Sequence, residues 1–85
     1  MTSETTLLIG RIADEYKVQL KRGDCDSWTA SLVTKTWEPI QILGTYEGVD
    51  RARRESEFAA RKLLESRGIP TEFDIMWIGA HPKKT

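Results

Sequence analysis

The chain has 85 residues, 39% of them hydrophobic and 31% charged, with three Trp. That length makes one domain, 1–85, and buries only about 60–65% of the unfolded surface, so modest stability is expected and two cores are excluded. Thirteen Lys+Arg balance thirteen Asp+Glu, which excludes a global positive field for holding nucleic acid and leaves only a local basic face for such a role.

Residues 1–6 carry no basic stretch, and the apolar run Leu7-Leu8-Ile9 is broken by Gly10 and Arg11. It is too short for a signal peptide or a membrane span, so a soluble, cytoplasmic protein with no membrane partner is expected. The single cysteine, Cys25, forbids an intramolecular disulfide and suits a reducing compartment. Segment 5–13 admits a helix capped by Ser3 and presenting Leu8, Ile9, Ile12 and Ala13. Its β-branched residues and mid-segment Gly10 favour a strand.

Residues 16–21 alternate, with Tyr16, Val18 and Leu20 on one face and Lys17, Gln19 and Lys21 on the other. Period two with a polar face predicts a half-buried strand. Gly23-Asp24-Cys25-Asp26 reads as a turn whose Asp side chains cap backbone amides. Trp28, Ala30 and Leu32 then resume the alternation against Thr29, Ser31 and Val33, completing a hairpin. A third strand is predicted over 39–45, with Ile40 and Ile42 facing opposite to Gln41 and Leu43. Pro39, which cannot donate to a ladder, belongs at its start or on an edge.

At 50–67 the period changes to that of one helix, and Ala52, Ser56, Ala59, Ala60, Leu63 and Leu64 gather on one side. Asp50 is the expected N-cap, and Gly68 followed by Pro70 gives the stop. A final strand is predicted over 73–79, with Ile75 and Trp77 opposite Met76 and Ile78. Only tails 1–4 and 82–85 are expected to fray. The fold class is α+β, a two-layer sandwich in which an antiparallel sheet of three to five strands packs on one helix.

Catalysis finds little support in these residues. His81 reads as a solvated tail residue, and Cys25 sits in a polar turn without a histidine to activate it. Asp24 and Asp26 form a D-x-D that reads as turn chemistry ahead of a hard-cation site, leaving a small metal-dependent nuclease as the third reading. Gly44 and Gly48 bracket a strand-to-helix turn and suggest backbone bending. No catalytic set, metal or cofactor is expected.

The helix's other side carries Arg51, Arg54, Phe58, Arg61 and Lys62, with Glu55 and Glu65 interspersed. Six basic residues (51, 53, 54, 61, 62, 67) against four acidic (50, 55, 57, 65) make 50–67 locally +2. One reading is a solvated face of i,i+4 pairs such as Glu57 with Arg61, with Phe58 covered by a neighbouring segment. The other is a binding face anchored by Phe58 among arginines. Trp28 and Trp77 keep core register, whereas Trp37 lies in a connection and is the candidate for exposure.

Two family resemblances follow. Over 16–64 the strand order, the aromatics Tyr16 and Trp28, the glycines Gly44 and Gly48, and Arg53-Arg54 before Ala59-Ala60 resemble a double-stranded-RNA-binding domain. That likeness implies an RNA-binding module using Arg51, Arg53, Arg54 and Lys62. The chain departs from the family pattern at Glu57, where a helix lysine is expected, in lacking a histidine in the first hairpin turn, and in its last strand. Tyr16-Lys17-Val18, Asp26-Ser27-Trp28-Thr29-Ala30 and Gly68-Ile69-Pro70 are similar to HicB-like antitoxins, which implies a protein partner. The favoured expectation is a non-enzymatic inhibitor or adaptor, such as an antitoxin or a phage-encoded host-defence (anti-CRISPR-type) inhibitor. It would bind a protein through Arg51, Arg54, Phe58, Arg61, Lys62 and Trp37, with RNA binding the alternative. An edge strand also leaves a homodimer open.

Overall fold

The computed structural model describes residues 7–72 and 75–80; His81 and the tails expected to fray lie outside them. The elements are β1 (Leu7–Ala13), β2 (Tyr16–Arg22), a 3-10 turn (Asp24–Asp26), β3 (Ser27–Thr34), β4 (Pro39–Glu47), α1 (Val49–Ser66) and β5 (Trp77–Ala80). The five strands make one antiparallel sheet in the order β4-β3-β2-β1-β5. With α1 packed on one face, the fold is α+β.

Strand, not helix, is the state of the N-terminal segment. Gly10 is the reason the C-terminal segment can lie beside it: a Cβ there would stand 2.6 Å from Ile75 Cγ2 and 3.0 Å from the Trp77 ring. Ile75 and Trp77 turn inward against the core while Met76 and Ile78 face solvent, as their alternation predicts.

Alternation also places the sheet's share of the core. Val18 and Leu32, with Ile12 and Ala13, pack against Ala60 and Leu64 of α1; Leu20, Trp28 and Ala30 pack with Ala52. Small residues at 52, 56 and 60 bring the helix close to the sheet. The buried Ser56 hydroxyl is satisfied by donating to the Arg53 carbonyl at 3.1 Å.

The start of α1 corrects one expectation. Gly48, at φ 86, is the N-cap, because the chain must turn sharply out of β4, and the Asp50 carboxylate pairs instead with Arg53. The stop is as the sequence predicts. Gly68 takes φ 73, its N–H reaches the Glu65 carbonyl, and the Ile69 N–H reaches that of Leu64, both at 3.0 Å.

In β4 the sequence pattern does not signal two bulges, where its register against β3 shifts between Ala30 and Ser31 and again between Leu32 and Val33. Leu43 enters both core clusters and Ile42 is 69% exposed, on opposite faces as the alternation predicts. Gly44 belongs to the first bulge rather than to the strand-to-helix turn. Its φ is 153, and a Cβ would meet the Tyr46 hydroxyl at 2.7 Å. Val33, expected on the polar face, does stand there yet is only 4% exposed, flanked by Lys17 and Pro39 on the adjacent strands. Both sheet edges are blunted, β4 by Pro39 and its bulges and β5 by its four-residue length.

Candidate functional site

With Ala52, Ser56, Ala60 and Leu64 fixed against the sheet, helical geometry decides what faces away. Positions 51, 54, 58 and 62 fall within an arc of about 80° at roughly 100° per residue. Arg51, Arg54, Phe58 and Lys62 are all exposed. Phe58, 61% exposed, stands in the middle of this stripe, and the Lys62 ammonium lies 5.3 Å from its ring centroid. A cation over an exposed ring contributes about 0.5–1 kcal/mol, enough to bias both rotamers.

Arg61 leaves the stripe. Its guanidinium donates to the Glu72 carbonyl at 2.9 Å, tying α1 to the segment that leads into β5. Glu57, its expected helix partner, accepts the Trp77 indole N–H at 2.8 Å. Both side chains therefore reach the C-terminal segment, contacts that no local spacing signals. Of the residues expected on RNA, Arg51, Arg54 and Lys62 share the exposed line, while Arg53 is half-buried and pairs with Asp50.

Trp37 is exposed as expected, at 48%, but lies elsewhere. It occupies the left-handed region at φ 71, costly for a bulky residue. The loop holds it there: Trp37 N–H donates to the Thr34 carbonyl at 2.9 Å, and the Glu38 N–H donates to the Thr34 hydroxyl at 3.0 Å. Its ring lies 4.4 Å from Lys17 Nζ. Because Val18 faces α1, its neighbour Lys17 faces away, and Trp37 is on the helix-free side of the sheet. The six partner-binding candidates thus split into four on the α1 stripe, Arg61 turned toward Glu72, and Trp37 across the sheet.

The 3-10 turn keeps its residues busy locally. Asp26 accepts the Trp28 indole N–H at 3.2 Å and faces Arg22 at 3.8 Å, rather than capping a turn amide. Ser27 donates its hydroxyl to the Asp24 carbonyl at 2.7 Å, and the exposed Cys25 adopts φ 57. Among the described residues, no group of three or more His, Cys, Asp or Glu could hold a metal ion.

Sequence reasoning missed the helix-free face of the sheet. Ile9, Arg11, Lys17, Glu72, Met76 and Ile78 line an open concavity of about 460 Å³ on it. The outward alternation of Lys17 with Lys21 and of Met76 with Ile78 was the available signal. It becomes one surface only once the strand order places β5 beside β1. Among the described residues no helix is long and apolar enough to cross a membrane. Comparison with protein-family models, with curated proteins and with solved structures gave no match.

Proposed function

We propose that this chain is a non-catalytic protein-binding module, an inhibitor or adaptor, that docks through the outward stripe of α1. One observation carries the reading: a 61% exposed Phe58 stands at the centre of the line Arg51, Arg54, Phe58, Lys62 on a packed helix. Covering such a ring stabilises a complex by about 1.5–3 kcal/mol. Aromatic and arginine side chains are those enriched at interface centres. A helix already held by its core needs little reordering on binding, so less of that gain is lost. Antitoxins and phage-encoded inhibitors of host defence, anti-CRISPR proteins among them, are the kinds of inhibitor in view. A cytoplasmic setting belongs to the same proposal, since the exposed thiol of Cys25 suits a reducing compartment.

The test is capture from an extract of the source cells with three immobilised baits: the wild-type chain, Phe58→Ala and Arg54→Glu. A protein retained by the first and lost by the other two, with all three baits equally stable, is the expected outcome. Equal capture by all three would remove the stripe from the interface.

RNA is the second reading, favoured by the alignment of Arg51, Arg54 and Lys62 on one exposed line. Three phosphate contacts would weaken duplex binding roughly 40-fold between about 50 and 200 mM salt. No binding of duplex or single-stranded RNA at about 50 mM salt would eliminate it.

A further inference from the structure

On the helix-free face, Arg11 of β1 stands directly opposite Lys17 of β2. Like charges in that position weaken a sheet, so their pairing here calls for a reason. Among the described residues, Arg11 pairs with the Glu72 carboxylate at 3.4 Å, and the Lys17 ammonium lies over the Trp37 ring. Beside them the floor is aliphatic: Ile9 and Ile78 are cross-strand neighbours, and Met76 is exposed. Among the described residues, the concavity therefore joins an apolar floor to two cations, Arg11 and Lys17, and the Glu72 carboxylate. The zero net charge conceals this, because Asp14, Glu15, Asp24, Asp26 and Glu38 lie in the turns between strands.

We infer that this groove is a second docking site, which takes an acidic segment of a partner protein, its carboxylates on Arg11 and Lys17 and its apolar side chains on Ile9, Met76 and Ile78. It stands independently of the α1 stripe. Charge complementarity selects the occupant. A second copy docked by this same face or by its α1 stripe would set cations against Arg11 and Lys17, and like charges facing each other disfavour both arrangements. Nucleic acid would supply anions, but its bases stack on aromatic faces. The floor here is aliphatic, and the nearby Trp37 ring is already covered by Lys17. Carboxylates next to aliphatic side chains fit both halves of the groove.

The experiment is selection of a displayed library of random heptapeptides on the full chain, followed by affinity measurement on wild type, Lys17→Glu and Phe58→Ala. Lys17→Glu sets opposite charges across β1 and β2, so its thermal midpoint should equal or exceed the wild type's, and lost binding then cannot be lost folding. Selected peptides should combine Asp or Glu with Ile, Leu, Val or Met. They should bind Lys17→Glu at least about 10-fold more weakly, the size expected for reversing an interfacial charge, and Phe58→Ala equally well. No enrichment, enrichment without acidic residues, affinity unchanged by Lys17→Glu, or affinity lost in Phe58→Ala would each overturn the site. So would a single-stranded oligouridine that binds through Lys17 more tightly than the selected peptides.

Discussion

Under α1, the sheet presents Val18, Leu20, Ala30 and Leu32 to Ala52, Ala60 and Leu64, and all of these are fully buried. On its other face Arg11 of β1 and Lys17, Gln19 and Lys21 of β2 stand among Ile9, Ile42 and Ile78, with no helix over them among the described residues. One period-two pattern thus builds two surfaces with different energetics. The covered face supplies the burial that holds an 85-residue chain together. The open face and the outer stripe of α1 contribute little to folding, and composition there is free to serve recognition. Cations and isolated large apolar side chains recur on both.

Leu64→Ala should show this difference most strongly. The side chain is fully buried against β1, β2 and β3, so its truncation should cost about 2–5 kcal/mol in denaturant unfolding. A cost under about 1 kcal/mol would mean that the helix–sheet contact can collapse around the gap. Gly10→Ala comes next, at about 1–3 kcal/mol, because the added methyl must displace Ile75 and Trp77. Hydrogen exchange should show β5 amides opening before those of β2 and β3. A neutral Gly10→Ala would indicate that β5 is not seated by this contact.

Gly68→Ala should cost about 1–2 kcal/mol, through its left-handed φ of 73 at the end of α1. Thermal midpoints of wild type and Gly68→Ala read the backbone term directly, since an added Cβ meets no described atom within 4 Å. The smallest effects are expected at the open positions. Phe58→Ala should cost no more than about 1 kcal/mol, the size of its contact with Lys62, and Ile42→Thr no more than about 0.5 kcal/mol. A cost near the roughly 3–5 kcal/mol of a core phenylalanine would make Phe58 part of the fold and remove it as an anchor.

The parts of this molecule legible in its sequence are those fixed by local spacing. Helix period and the Gly68–Pro70 stop locate α1, and alternation orients β2, β3, Ile75 and Trp77. What was not legible depends on partners distant in the chain. The bulges of β4 follow from its register on β3, and Asp50 lost the cap to Gly48 because the exit from β4 needs a positive φ. Arg61 turns to Glu72 and Glu57 to Trp77, across 11 and 20 residues of sequence. The candidate site divides along the same line. Arg51, Arg54, Phe58 and Lys62 share a stripe because one helix carries them, whereas Trp37 is separated from them by the sheet and joined instead to Lys17. The helix-free groove needed the placement of β5 beside β1 before Met76 and Ile78 could be seen next to Ile9.

The central claim is that α1 recognises a protein through a side chain the fold does not need. Quantitative capture of partner from source-cell extract by wild type and by Phe58→Ala, at equal bait loading, tests it most directly. A specific protein recovered by the wild-type chain and depleted at least about 10-fold on Phe58→Ala, the loss expected for a central aromatic anchor, is the predicted result. Recovery of that protein in equal amounts by both chains would contradict it.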